Sequence, residues 1–404
     1  MSVTAANGAQ SFWLFIDLAS TFGGHEVMLL RWIEELPHSG VRPVLICGRN
    51  SRLARTAPTY CQIEEIALLE EGAGKLAVFC FICRLWLKML QLKLRHAPEI
   101  AVVAEGAIMA QRHGLYVARL LRLYTVLYVP LVSSFSAMQV AGAAALERRT
   151  RNFYGKLPGA WLTITSEQAD ELRRWSGVCQ PIFLLPNAVG RDIETIAGTL
   201  LRETPSSTAR LRVLVLGRMD RHQKGLDFLM EYLRRSPHLA EQMVIRLVGE
   251  GPYWQTLSAE LGNDTALQSF VSMHPWGAPS QVLAQHDVLL ITSRFEGVPL
   301  VMLEAMCVGI PVIAADLAGT RSYLDTDCLY PVGRMDLAFE RLSMLHRSQS
   351  LRMQIAAANL NRFKNGASGA VFAQAVSRLV LQLRQAALRE SRNRRAQPRD
   401  ISPG

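Results

Sequence analysis

The chain has 404 residues, half of them hydrophobic and 19% charged, with seven cysteines and a formal net charge of +10. That length suits two domains of roughly 150–200 residues each, and the apolar content excludes a mainly disordered or fibrous chain. The excess of 44 Lys and Arg over 34 Asp and Glu suits an anionic partner: nucleic acid, an anionic membrane or a phosphorylated small molecule.

No Lys or Arg occurs early in the chain, and the first apolar stretch is interrupted by Asp17, so a secretory signal is not expected. An odd number of scattered cysteines predicts reduced thiols in a cytoplasmic setting. Strand-like runs follow at 12–16, 43–47, 100–104, 125–129, 161–165 and 182–185. A second series lies at 212–216, 244–248, 269–273, 288–292 and 311–314. Val, Ile and Leu follow one another in these runs without strict alternation, the pattern of strands buried on both faces of a parallel sheet. Between the series, 187–210 holds Gly190, Gly198, Pro205, Ser206 and Ser207, a loop-forming composition. The expectation is an α/β chain of two doubly wound, Rossmann-like parallel-sheet domains.

Inside the first series lies 76–95, LAVFCFICRLWLKMLQLKLR. Arg84, Lys88 and Lys93 deny it the ~20 predominantly apolar residues of a spanning helix. Arg84, Lys88, Gln91 and Arg95 share one helical face. That fits a core helix with one wet stripe, the preferred reading, or an interfacial helix on anionic lipid. Cys80 and Cys83 are expected to be buried helical cysteines rather than a zinc or redox pair. From Arg384 onward the chain is Arg-rich and aperiodic, which predicts a mobile basic tail. With no aromatic stacking platform, nucleic acid is not an expected partner.

Two segments of the second series carry candidate chemistry. In 213–225, VLVLGRMDRHQKG, a strand meets a glycine turn at Gly217, followed by Arg218 and Lys224. An Arg fork and a Lys point charge are common grips on a diphosphate, although loop Arg and Lys are more often simply solvated. In 293–318, SRFEGVPLVMLEAMCVGIPVIAADLA, a loop holding Glu296 leads into a helix beginning near Pro299. Glu304 lies two turns inside that helix. Helix N-termini seat phosphates through free N–H groups, and the carboxylates can hold sugar hydroxyls. Two surface glutamates beside an amphipathic helix are the plainer alternative.

The order GR…KG, then LVGEGP at 247–252, then SRFEGVPLVMLEAMCVGIPVIA resembles the retaining glycosyltransferases of family 4, whose shape is called GT-B. Glu296 and Glu304 match that family's E-x7-E pattern. FGGHE at 22–26, TSE at 165–167 and LPNAV at 185–189 are similar to its glycine loop, its strand-ending serine segment and its interdomain segment. The resemblance covers about 15–365. It implies two Rossmann-like domains facing a central cleft: an acceptor-side domain over 1–190 and a donor domain over 208–368. A helix over 369–388 would cross back to the first domain, ahead of the tail at 389–404.

By the same resemblance, Arg218 and Lys224 would grip the donor diphosphate next to Gly217. Glu296 would hold donor-sugar hydroxyls and Glu304 the ribose. The backbone of Gly297, Val298, Pro299 and Leu300 would lie against sugar and phosphate, Pro299 offering only its carbonyl, and Gly23 and Gly24 would let the first domain approach. The implied activity is retaining transfer of a sugar from a nucleotide diphosphate sugar, UDP- or GDP-linked, to a glycan or lipid-linked glycan in polysaccharide or glycoconjugate biosynthesis. The nucleotide sugar is a co-substrate, and neither a cofactor nor an essential metal is expected. Apart from the resemblance, the net positive charge and the 76–95 stripe suggest an anionic membrane surface as a further partner of a cytoplasmic protein, with peripheral association at the inner face of the membrane. The alternative is a catalytically weak or inactive glycan- or nucleotide-binding protein on the same fold.

Two departures stand out. Many relatives carry a histidine after the fourth or fifth strand of the first domain, where this chain has Pro130, Ser133 and Ser134. His113 is nearby in sequence and is expected on a helix surface. Asp325-Thr326-Asp327 is formally a DxD but lies beyond the donor segment and is expected to be a turn. At about Ser322 a common variant of the family has an acidic residue.

Overall fold

Thirteen strands, all paired in parallel, build two sheets. They belong to a computed structural model that describes residues 11–70, 72–110, 112–197 and 210–396, with side chains to 394. Gly198, Pro205, Ser206 and Ser207 of the expected seam lie outside the described residues. The described residues through Leu185, with those from Ala373 onward, form one compact unit, and Pro186–Phe372 forms the other.

The first unit contains β1 (Ser11–Ile16), β2 (Val41–Gly48), β3 (Gln62–Ile66), β4 (Ile100–Ala104), β5 (Thr125–Tyr128), β6 (Ala160–Thr163) and β7 (Ile182–Leu184). Their order is β3-β2-β1-β4-β5-β6-β7. The second contains β8 (Leu211–Leu216), β9 (Met243–Val248), β10 (Val271–His274), β11 (Val288–Ile291), β12 (Val312–Ala315) and β13 (Leu329–Tyr330), ordered β10-β9-β8-β11-β12-β13. In both, the order reverses beside the first strand. Ligands of doubly wound sheets bind outside the strands' carboxyl ends at such a switch point, which directs attention to the loops after β1 and β4 and after β8 and β11.

Strands β4, β5, β6, β11 and β12 are buried at every residue because helices cover both faces of a parallel sheet. In the first unit, Trp32 meets Trp13, Phe15 and Tyr128 edge to face at 5.2–6.3 Å, an arrangement aromatic pairs favour. The terminal helix Gly369–Ala396 brings Arg384 to Ser11 Oγ (2.6 Å) and Glu99 (3.2 Å), fixing it to the start of β1. That helix continues past Leu388 into the stretch expected to be a mobile tail, as far as Ala396; 397–404 of that tail lie outside the described residues. Glu390 explains the extension, since it pairs with Arg394 one turn on and with Arg119 at 3.5 Å, and Arg is itself a good helix former.

Strands β3 and β13 had no counterpart among the sequence-based expectations. Both are sheet edges. β3 reads QIEEI, with polar residues an edge tolerates, and β13 is two residues long. Cys80 and Cys83 correct another expectation: Cys80 is exposed and Cys83 half-buried. The helix Lys75–His96 buries Phe81, Leu85, Met89 and Leu92, and the cysteines fall off that line.

Close backbone approach fixes glycine at the carboxyl ends of the second sheet. A Cβ on Gly249, where φ is +152°, would lie 1.8 Å from the Gly217 carbonyl oxygen. The contact is backbone to backbone and cannot relax by a rotamer change. Gly249→Ala is therefore expected to destabilise the chain by at least ~2 kcal/mol, read from the denaturant midpoint. An unchanged midpoint would contradict this packing.

Candidate functional site

At the switch point of the second sheet, Gly217 follows β8 and Thr292 follows β11. The loops that follow are fastened together. Thr292 Oγ1 donates to the Lys224 carbonyl (2.5 Å) and the Arg294 N–H to the Gln223 carbonyl (2.8 Å). The Arg294 guanidinium donates to the His222 carbonyl (2.8 Å), forms a two-pronged pair with Asp227 (2.6 and 2.7 Å) and lies 3.6 Å over the Phe228 ring. Burial raises the Asp227 carboxyl, but the Arg294 hydrogen bonds and charge outweigh it and hold the pKa below the usual value. Asp220 shapes the turn before Lys224 by accepting from the N–H groups of His222 and Gln223, a local Asx-type closure.

Lys224 and Glu296 form an ion pair across these loops. Glu296 Oε1 also accepts from Ser293 Oγ at 2.9 Å, while Oε2 accepts from no described residue. Lys224 is thus not the free point charge the sequence suggested, although two of its three N–H donors remain beyond the one given to Glu296. Gly217, Arg218, Lys224, Glu296 and Pro299 line one pocket. Arg218 is exposed there, and its side chain makes no hydrogen bond or ion pair with a described residue. Its guanidinium is an uncommitted cation beside a committed one.

Pro299 caps the helix Leu300–Cys307 without a side-chain hydrogen bond, so the N–H groups of Leu300 and Val301 have no intrahelical partner. Its carbonyl accepts from Met302 (3.1 Å) and Leu303 (3.4 Å). Val298 is held in the same way: its carbonyl accepts from the buried Asn187 amide at 2.9 Å. Gly319 completes the cradle, because a Cβ there would lie 1.6 Å from the Gly297 carbonyl. What this loop offers outward is N–H groups at a positive helix end.

Glu304 lies apart from that pocket, on the helix. Its Oε2 is buried and accepts no hydrogen bond from a described residue. Burial, with a contribution from Asp192, pushes its carboxyl up to about 7. Asp325-Thr326-Asp327 is no part of the site: Thr326–Cys328 is a short 3-10 helix and Asp325 pairs with Arg362.

The switch point of the first sheet holds a charged cluster. Gly23 and Gly24 are exposed and open the helix Gly24–Glu35. The Gly23 N–H donates to Glu26 Oε2 (2.7 Å), and His25 lies between Glu26 (3.0 Å) and Asp17 (3.4 Å). Burial alone would depress the imidazole, but the hydrogen bonds and charges of Asp17 and Glu26 prevail and raise it to about 9. The two carboxylates thus favour the protonated imidazole. It also packs against Gly106, just after β4, where a Cβ would come within 3.0 Å of Nδ1. An imidazole thus stands at the end of the fourth strand, supplied from the glycine loop. His113 is half-buried against Phe81, ring centroids 5.9 Å apart, rather than on a free surface.

Sequence reasoning missed Arg294, Asp227, Asn187 and His25. Arg294 and Asp227 are 67 residues apart, and no local pattern links them. Arg294→Ala is expected to lower stability by about 1–3 kcal/mol, whereas Arg218→Ala should stay within about 0.5 kcal/mol. Denaturant unfolding of both variants measures the contrast; equal losses would contradict it.

Residues 210–346 match the glycosyl transferases group 1 family. The lipopolysaccharide 1,6-galactosyltransferase of Salmonella typhimurium is 33% identical over 126 residues, 28% of this chain and 33% of that protein, so the match spans a third of the relative's length. Sucrose-phosphate synthase from Thermosynechococcus elongatus superposes with a TM-score of 0.71 at 16% identity, covering 93% of this chain and all of that one. Anabaena HepE, in complex with UDP-glucose, gives 0.71 at 17% identity over 92% of this chain and 99% of its own. At such identity these structures show the shared fold.

Proposed function

We propose, because residues 210–346 match the glycosyl transferases group 1 family, that the chain transfers a sugar from a nucleotide diphosphate sugar to a glycan or lipid-linked acceptor in polysaccharide or glycoconjugate biosynthesis. The observation that carries this reading is the pocket where Arg218 and the Lys224–Glu296 pair meet the helix that begins after Pro299. Cations, free N–H groups and a carboxylate together suit a sugar attached to a diphosphate.

In the reaction the bond from anomeric carbon to phosphate oxygen breaks, and its electron pair leaves with the diphosphate. Arg218, the remaining Lys224 donors and the N–H groups of the helix start stabilise that charge. Each strong donor contributes on the order of 2.7–4 kcal/mol. Glu296 holds sugar hydroxyls through Oε2 while Oε1 stays with Lys224 and Ser293, coupling the sugar's position to that of the cation. The acceptor oxygen bonds to the anomeric carbon from the leaving-group side, its proton passes to a phosphate oxygen, and configuration is retained. The positive charge needed at the diphosphate comes from side chains, so an essential metal is not part of this scheme. Seven thiols, none in a disulfide, favour a reducing cytoplasm.

UDP-, GDP-, ADP- and TDP-sugars, incubated with the protein and read by released nucleoside diphosphate, test this. One donor should be cleaved, with losses of roughly 10²–10³ in kcat for Arg218→Ala, Lys224→Ala and Glu296→Ala. Turnover unaffected by these substitutions would contradict the assignment. Silence from every donor, with no nucleotide sugar bound in calorimetry, would favour a glycan-binding protein on this fold.

Glu304 gives a second test. Ribose hydroxyls donate to its ionised form, so donor affinity should rise with pH through about 7, where the buried carboxyl loses its proton. In Glu304→Gln that rise should vanish, and a pH profile shared by both proteins would exclude this role.

A further inference from the structure

The helix Lys75–His96 presents two apolar lines. One, of Phe81, Leu85, Met89 and Leu92, is buried in the first unit's core. The other points away from it. Leu76, Leu87 and Leu94 are 75%, 52% and 78% exposed, with Phe79 beside them at 64%. Leu87 and Leu94 follow Leu76 by 11 and 18 residues, and at about 100° per residue these three share one side of the helix. That side lies about half a turn from the buried line. A helix in a water-bathed globular domain is expected to turn polar residues there, so this face departs from the core-helix-with-wet-stripe reading.

Its borders are basic. Arg84, Gln91 and Arg95, all exposed, run along one edge, and Lys75 and Lys93 along the other. The 22 residues include five Lys or Arg and no Asp or Glu. Lys88 is paired with Glu64 at 2.8 Å and Lys93 donates to the Leu121 carbonyl at 2.7 Å, but Arg84 and Arg95 have no ion-pair partner among the described residues. No described helix is long and apolar enough to cross a membrane.

We infer that this helix lies flat on an anionic lipid bilayer, with Leu76, Phe79, Leu87 and Leu94 inserted among the acyl chains and Arg84 and Arg95 at the phosphates. The ridge is convex and spans on the order of 27 Å. A bilayer receives a convex apolar ridge anywhere along its length and accommodates long basic side chains at its interface. A protein partner would need a matching apolar groove with acidic rims. The inference is independent of the donor-site reading, since none of these residues belongs to that pocket.

Flotation of the full chain with vesicles tests it, using equimolar phosphatidylglycerol and phosphatidylcholine against phosphatidylcholine alone. The protein should float with the anionic vesicles only, and less at high salt. Arg84→Gln with Arg95→Gln should weaken binding at least about tenfold. Leu76→Gln, Leu87→Gln and Leu94→Gln together should abolish it with circular dichroism and thermal midpoint unchanged. If that triple variant fails to fold, Leu94→Gln alone should show a partial loss. No flotation, equal flotation with neutral vesicles, or flotation unaffected by the leucine changes would overturn the inference. So would a wild-type dimer that the leucine variant dissociates without any vesicle binding, which would make the ridge a contact between two copies.

Discussion

The ion pair between Lys224 and Glu296 is the contact on which the second unit's site depends. It can form only because β8 and β11 are neighbours in the sheet, although 71 residues separate Gly217 from Val288 in sequence. The reversal of strand order leaves a gap above the sheet at that point, and both loops open into it. Neighbouring contacts then remove the loops' freedom. Thr292 and Arg294 bind the backbone of 222–224, Asn187 holds the Val298 carbonyl, and Gly249 and Gly319 permit approaches that any side chain would block. The candidate groups are held by contacts within the second unit, which is what electrostatic preorganisation requires.

The first unit repeats the topology and fills its switch point differently. There the loops after β1 and β4 enclose the His25 imidazole between two carboxylates, with Gly23 donating to one of them. Buried charges persist when paired and hydrogen-bonded, and this cluster meets both conditions. It gives the glycine loop a fixed shape through Glu26, whereas a Cβ on Gly23 would meet its nearest atom at 3.6 Å, an ordinary contact. The value of that glycine is thus the absence of a side chain at an exposed loop rather than relief of crowding.

Much of the architecture was legible in the sequence because buried parallel strands are spelled in Val, Ile and Leu whatever their neighbours. The edge strands β3 and β13 were not, since one is polar and the other is two residues long. Arg218, Lys224, Glu296 and Glu304 could be singled out because each follows a strand or opens a helix in a recognisable local pattern. The Arg294–Asp227 pair and the His25–Gly106 contact were hidden, because they exist only once distant strands lie side by side. Cys80 and Cys83 were misjudged for a related reason. Hydrophobicity alone does not say which of two apolar faces the core takes.

Crystallography of the full chain with a bound nucleoside diphosphate examines the central claim most directly. The account predicts density for the diphosphate against Arg218, Lys224 and the start of the helix Leu300–Cys307, with the ribose at Glu304. Density for the diphosphate away from these groups, with the Lys224–Glu296 pair untouched, would contradict it.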